Sequence, residues 1–271
     1  MLHNNFSVLM SLYDKEKPIY LHQCLESLYQ QTLQPDEIVI IFDGSINVEL
    51  EAVISKWKSI LPLKIFKTEK NMGLGYSLNF GLLQCKHNLI ARMDTDDICF
   101  PDRFEKQIAY MCKMPEISIL GSNVIEYDET MSNIITKKTL ALSHNDIIKF
   151  IKKRNPFNHM SVILRKDIIM KSGNYQHHIF MEDYNLWIRV ISLGYKVENL
   201  SDRLLKVRTG NAMIKKRRGI SYIKSELKLA KLKVEKNIDS FFPALLTFIL
   251  RSIIRILPTS LLSKVYRLIR K

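Results

Sequence analysis

Cysteine is scarce in this 271-residue chain, and its four copies, at 24, 85, 99 and 112, form no C-x-x-C pair. That argues against a disulfide scaffold and a cysteine-held zinc, and points to a reducing compartment. With only 9 Gly and 8 Pro, low-complexity, collagen-like and wholly disordered chains are excluded. No run of 18 uncharged apolar residues occurs. The longest candidate, 240–250, ends at Arg251, so a membrane-spanning helix is not expected. The opening MLHNNFSVLMSLYDKE lacks a basic segment and meets an acid at Asp14, so it does not read as a signal peptide. Acid is nearly missing from the last quarter. Residues 203–271 hold 18 Lys/Arg against Glu226, Glu235 and Asp239, a net of +15, whereas residues 1–202 hold 23 against 24, a net of −1. A neutral body with a strongly basic tail calls for an anionic partner at the tail, either a membrane surface or nucleic acid.

What is present is a 46% hydrophobic chain, enough for one large domain or a domain with an appendage. Its first half alternates short apolar runs with helical periodicity. Strands are expected at 6–11, 37–42, 63–66 and 89–93, and helices at 19–31, 50–57, 76–85 and 103–114. That order implies a parallel sheet with helices on both faces and ligands beyond the carboxyl ends of its strands. Tyr13, Asp43 and Asp94 stand just past such ends. In the second half, strands are expected at 118–125, 134–139 and 160–164. Ser143 reads as a helix cap, 182–193 as a helix, and 215–236 as a basic helix. From Phe241, Thr247, Arg251 and Arg255 recur among Leu, Ile and Phe, followed by Lys264, Arg267 and Lys271. A basic stripe on an apolar helix fits a segment lying in a bilayer interface; a helix packed on the domain is the other reading.

The sharpest chemical signal is Arg92-Met93-Asp94-Thr95-Asp96-Asp97. Three carboxylates in four residues repel one another unless a cation sits among them, and a hard divalent ion with phosphate oxygens suits such a set. A solvated acidic turn is the alternative. Asn71-Met72-Gly73-Leu74-Gly75 opens a helix, where glycines let backbone approach an anion. Asp43-Gly44-Ser45 ends the second strand. Each loop alone is ordinary turn chemistry; three in register at one sheet edge are harder to dismiss.

With these segments in view, the sequence resembles the family 2 inverting glycosyltransferases of GT-A fold, of the bacterial O-antigen, capsule and exopolysaccharide type. The resemblance rests on FSVLMSLYDKE, LESLYQQTLQPDEIVIIFDGS, EKNMGLGYSLNFGL, LIARMDTDDICFPDRFEKQI, NPFNHMSVILRK and MEDYNLWIRVISLGYKV, which span residues 6–200 in order. Where the family often has two acids before Gly-Ser, this chain has Phe42 and then Asp43. The resemblance implies an α/β, Rossmann-like, mostly parallel sheet flanked by helices. A catalytic domain would span 1–210, with its nucleotide-sugar half at about 1–115 and acceptor half at about 116–210. Residues 211–271 would be a basic amphipathic helical extension.

The resemblance also implies roles. Ser11 and Tyr13 line a nucleotide pocket, Asp43 accepts from the uracil, and Asn71 and Gly73 lie in the donor loop. Arg92 and Asp94 face ribose and base, and Asp96 holds Mn²⁺ or Mg²⁺ against the diphosphate. Asp97 supports the loop or touches the sugar, and Asp183 is the catalytic base. At Asp183 the alternative is a helix N-cap or dipole partner. Arg208, Arg217 and Arg218, with Lys215 and Lys216, either close over the diphosphate or face a membrane. His177-His178 lacks a third ligand at zinc spacing and fits a mobile acceptor loop; His159 resembles an acceptor-side position, and Phe180 and Trp187 fit core or pocket walls. The implied reaction moves a hexose, from UDP-glucose or UDP-galactose and with a β-linkage, to a lipid-diphosphate-linked saccharide. The implied location is peripheral, on the cytoplasmic face of the inner membrane, with the tail on an anionic surface and no nucleic acid. Two other classes compete: a non-enzymatic basic module binding membrane or nucleic acid, and a nucleotidyltransferase. The first leaves the acids at 94–97 and 182–183 unexplained, and the second does not match the later motifs.

Overall fold

The computed structural model describes residues 5–210 and 219–256. Its first half follows the expected alternation: β1 (Phe6–Leu12), α1 (Pro18–Tyr29), β2 (Glu37–Phe42), α2 (Val48–Lys58), β3 (Leu63–Lys67), α3 (Leu74–Gln84) and β4 (Leu89–Arg92). A short β5 (Ile98–Cys99) and α4 (Arg103–Lys113) follow. β1, β2 and β4 are almost wholly buried because helices cover both sheet faces. Along β1, Val8 and Met10 join one core with α1, α2 and α4, while Leu9 joins a second core with α3.

The second half runs β6 (Ile117–Tyr127), β7 (Ile134–Lys138), α5 (His144–Ile151), β8 (Ile163–Arg165), α6 (Lys166–Lys171), α7 (Glu182–Ser192), β9 (Lys196–Arg208), α8 (Ile220–Glu235) and α9 (Phe241–Ile256). Ser143 caps α5 as expected, accepting from the Asp146 amide at 3.2 Å. The sheet order is β3-β2-β1-β4-β8-β6-β9-β5, with β7 paired to β6. Pairing is parallel through β3-β2-β1-β4, but β8 runs antiparallel to both β4 and β6, so the sheet is mixed. β6 and β7, antiparallel neighbours, are joined by a short loop with none of the crossover helices that parallel strands need.

One long strand departs from the sequence expectation. The 13-residue β9 was not foreseen; its alternation is broken by polar and charged residues, and its length comes from pairing along β6. The basic helix is described from Ile220, after Gly219 (φ +89°); its expected start at Lys215 lies outside the described residues. α8 sends Tyr222 and Leu229 into the core beneath α7, and α9 packs on α8.

Candidate active site

Because β1, β2 and β4 are parallel and in register, their carboxyl ends share one sheet edge. Leu12 pairs with Phe42 and Leu9 with Arg92. β2 lies on one side of β1 and β4 on the other, so the chain reverses its winding there and opens a crevice. Half-buried Ser11 and 37%-exposed Tyr13 leave β1 at this edge. Asp43 is buried, and its carboxylate accepts from the Met72 amide at 2.7 Å and the Gly73 amide at 3.0 Å. It therefore folds the 71–73 loop onto the strand end, a task the sequence did not reveal. Asn71 is exposed on that loop, and Gly73 (φ +88°) starts α3. Gly44 is also left-handed, and a Cβ there would fall 2.8 Å from the Asn71 nitrogen, so only glycine fits. Phe42, standing where the family often has an acid, is turned into the core beside α1 and α2.

Past β4, Asp94, Asp96 and Asp97 bring one oxygen each within 4.8 Å of one another. Buried Arg92 meets Asp94 at 2.5 Å through Nη2, while its Nε and Nη1 have no partner among the described residues. Burial, then Asp94 and Glu16, pushes the Asp96 carboxyl up to about 7. Burial, then Asp96 and Asp94, pushes Asp97 well above the usual carboxylate range. Burial also raises the Tyr13 hydroxyl, with Glu16 and Asp96 adding to it, so Tyr13 faces the same cluster. Glu16 is held there by the Thr95 hydroxyl at 2.9 Å. Crowded hard oxygens of this kind suit a divalent cation. Asp97 is turned inward, its Oδ1 accepting from the Arg208 amide at 2.9 Å, and Asp94 is engaged by Arg92, which leaves Asp96 best disposed to hold one.

Arg208, expected at a diphosphate or a membrane, is engaged within the protein, at the acidic loop. Its guanidinium donates to the Asp96 carbonyl at 3.0 Å, the Gln23 side chain at 2.8 Å and the Glu129 carbonyl at 2.5 Å, over the Tyr20 ring. It ties the end of β9 to the acidic loop and α1. The other members of that expectation, Lys215, Lys216, Arg217 and Arg218, lie outside the described residues.

Across the crevice, Asp183 sits in the first turn of α7, whose N-cap is Met181 with no side-chain cap. Its carboxylate accepts from the Asn155 side-chain amide at 2.6 Å. α7 approaches the donor loop closely: a Cβ on Gly75 would come within 3.0 Å of Glu182 Cγ. Buried Tyr175 connects the two sides. Its hydroxyl lies 2.8 Å from His159 Nε2, and its acidity is weakened by burial, opposed by Arg92, and weakened further by Asp183 and Asp94. Asn79 clamps the Tyr175 backbone, donating to its carbonyl at 2.5 Å and accepting from its amide at 2.7 Å. Burial, aided by Arg92, holds His159 neutral.

Asp183, Asn155 and His159 form one wall of a cavity of about 790 Å³. Phe180 lines it and stacks on Tyr222, while Trp187 is wholly buried. His178 is not in a mobile loop: it is buried, bonded to the Ser225 carbonyl at 2.9 Å and to Asn185 at 3.1 Å, and fastens α8 to α7.

The tail also departs from expectation. Arg251 and Arg255 point inward and share the buried carboxylate of Glu226, at 2.8 and 3.5 Å. A lone buried carboxylate draws them in, and the opposite, apolar face of α9 is exposed instead. Lys264, Arg267 and Lys271 lie outside the described residues. Sequence reading missed Asn155, Tyr175, Asn79 and Glu16 as site residues. Asn155 stands within a quoted motif, but Asn79 and Tyr175 meet only through folding, 96 residues apart.

Residues 7–172 match the model of glycosyl transferase family 2. The amylovoran biosynthesis glycosyltransferase AmsE of Erwinia amylovora is 53% identical, over 98% of this chain and 99% of its own. A UDP-Gal:alpha-D-GlcNAc-diphosphoundecaprenol beta-1,3-galactosyltransferase of Escherichia coli is 40% identical, over 97% and 95%. Among solved structures, S. aureus TarS 1-349 superposes with TM-score 0.66 at 17% identity, over 91% of this chain and 71% of that one. The mannosyltransferase PcManGT from Pyrobaculum calidifontis, in complex with GDP-Man and Mn²⁺, gives 0.64 at 12% identity, over 98% and 80%. Those likenesses show the GT-A fold that the sequence resemblance implied. With the family model covering more than half its length, the chain belongs to glycosyl transferase family 2.

Proposed function

We propose that this protein is an inverting hexosyltransferase of surface-polysaccharide assembly. It takes a hexose from UDP-galactose or UDP-glucose and passes it to a saccharide carried on a lipid diphosphate. The galactosyltransferase relative names both such a donor and such an acceptor. The observation that carries the reading is the approach of α7 to the donor loop, where Glu182 Cγ lies 3.0 Å from the position a Cβ would take on Gly75, so Asp183 and the loop ordered by Asp43 border one crevice.

In this reading the acceptor hydroxyl attacks the anomeric carbon from the face opposite the diphosphate. The bond from that carbon to the diphosphate oxygen breaks, and its electron pair leaves with UDP. Asp183 accepts the hydroxyl proton as the new bond forms, and Asn155 fixes the carboxylate for that task. Asp96 is the residue to hold Mn²⁺ or Mg²⁺, which when bound neutralises charge on the leaving diphosphate. Tyr13, Ser11 and the Asp43-ordered loop enclose the nucleotide. Arg92 orients Asp94 toward it. The chain works at the cytoplasmic membrane face, held by the exposed apolar stripe of α9. No helix among the described residues is long and apolar enough to cross a membrane.

The test is UDP release from a panel of UDP-sugars, with Mn²⁺ or Mg²⁺ and a GlcNAc-diphosphate-lipid acceptor. Wild type is expected to turn over one hexose donor. Asp183→Asn is expected to lose roughly 10²–10⁴-fold in kcat at unchanged donor affinity, and Asp96→Asn to lose metal-dependent donor binding. Failure of the wild type to bind any UDP-sugar in the presence of Mn²⁺ would sink the reading.

A further inference from the structure

Basic residues gather around the cavity at Asp183. Its walls carry six cations, Lys137, Lys138, Lys153, Arg154, Arg251 and Arg255, against two acids, Glu126 and Asp183. Lys153 and Arg154 are exposed and form no ion pair among the described residues. They immediately precede Asn155, the residue that holds Asp183. The tail helices hold the turn that presents them. Lys233 donates to the Lys152 carbonyl at 2.7 Å and Arg251 to the Lys153 carbonyl at 3.0 Å. Cations at the carbonyl end of a helix are well placed electrostatically, so α8 and α9 fix the C-terminal turn of α5. Arg251 and Arg255 meet at the Glu226 carboxylate beside the cavity wall.

We infer that this cavity is the seat of the acceptor's diphosphate, with Lys153 and Arg154 as its anion-binding residues and α9 as a wall of the site. The inference deepens the function proposed above and rests on it. When a saccharide hydroxyl is presented to Asp183, the diphosphate on the same short saccharide lies within a few bonds of it, where this charge is concentrated. Apolar Phe180, Met181, Tyr222 and Ile254 share the lining. Outside, Phe242, Leu246, Ile249 and Ile253 form an exposed stripe along α9. A lipid chain leaving the cavity can follow that stripe into a bilayer. The occupant is therefore an alkyl diphosphate bearing a sugar; a purely neutral glycan would leave Lys153 and Arg154 unmatched, and a nucleic acid would not use the apolar stripe.

Two measurements on the full chain test this. The first compares acceptors that carry one saccharide on an alkyl diphosphate or on a neutral alkyl glycoside. Wild type is expected to prefer the diphosphate in kcat/KM, and Lys153→Ala/Arg154→Ala to lower that preference by about tenfold or more. Charge reversal, Lys153→Glu/Arg154→Glu, is expected to lower it further, and raised salt to narrow the gap in wild type only. An unchanged preference in both variants overturns the inference while leaving the glycosyltransferase reading intact. The second is calorimetric binding of dodecyl diphosphate without metal or donor. Binding by wild type that the reversed variant loses supports the site even where no UDP-sugar is turned over, and equal binding by both overturns it.

Discussion

Single side chains at this site do positional work that their residue types do not advertise. Asp43 looks like a ligand contact, yet both of its oxygens organise the 72–73 amides. Asn155 looks like a turn residue before Pro156, yet it holds the proposed base. Asn155→Ala should lower kcat by about tenfold, the worth of one charge-assisted hydrogen bond, with donor KM and melting temperature unchanged. Steady-state kinetics beside a thermal melt checks it, and a large drop in melting temperature would recast Asn155 as structural. Arg208, expected at a phosphate or a membrane, is fastened by three hydrogen bonds and the Tyr20 ring to the acidic loop, α1 and Glu129. Arg208→Ala should cost about 1–3 kcal/mol in chemical denaturation. An unaltered midpoint would mean that the guanidinium is spare.

Among elements, the early strands and helices were legible because each is decided locally. EIVIIF is too short for a helix and too apolar for a surface, and α4 has a clear apolar face. β9 was not legible, since its 13 residues, rich in Lys, Asp and Arg, become a strand only by lying along β6. The inward turn of Arg251 and Arg255 was equally hidden, because their partner Glu226 belongs to another helix. Removing that carboxylate leaves two guanidiniums facing each other beneath α9. Glu226→Ala should speed hydrogen exchange across 241–256 by about tenfold or more while β1 and β2 amides keep their protection. Equal protection in α9 would show that apolar contacts alone hold it.

For the molecule as a whole, the tail ties its stability to pH and is the segment proposed to reach a membrane surface. Burial, with Arg251 adding to it, pushes the Lys233 ammonium from its ordinary 10.5 down to about 7. Between these values the unfolded chain binds a proton that the folded chain does not. Stability from this residue therefore rises with pH from about 7 upward and is lowest below it. Denaturant midpoints of wild type and Lys233→Met, taken from pH 7 to 9, should shift in favour of wild type by up to about 1.4 kcal/mol per unit. A constant difference would rule Lys233 out as the source. The apolar stripe of α9 includes Phe242, 80% exposed, and makes a surface that water disfavours. Phe242→Asp with Leu246→Asp should weaken flotation with anionic vesicles by about tenfold or more. Flotation that survives both changes would move membrane attachment away from this helix.

By itself the sequence determined the parallel first half, the loops at its strand ends, the acidic motif after β4 and the basic bias of the tail. These follow from hydrophobic periodicity and from charges close together in the chain, both of which act over a few residues. The tertiary structure alone decided that Asn155 meets Asp183 and Tyr175 meets His159, that Arg208 ties β9 to the acidic loop, and that the cations of α9 line a cavity. Each depends on partners far apart in sequence, and a side chain's direction is set by the charge or core it meets when the sheet closes, not by its neighbours along the chain.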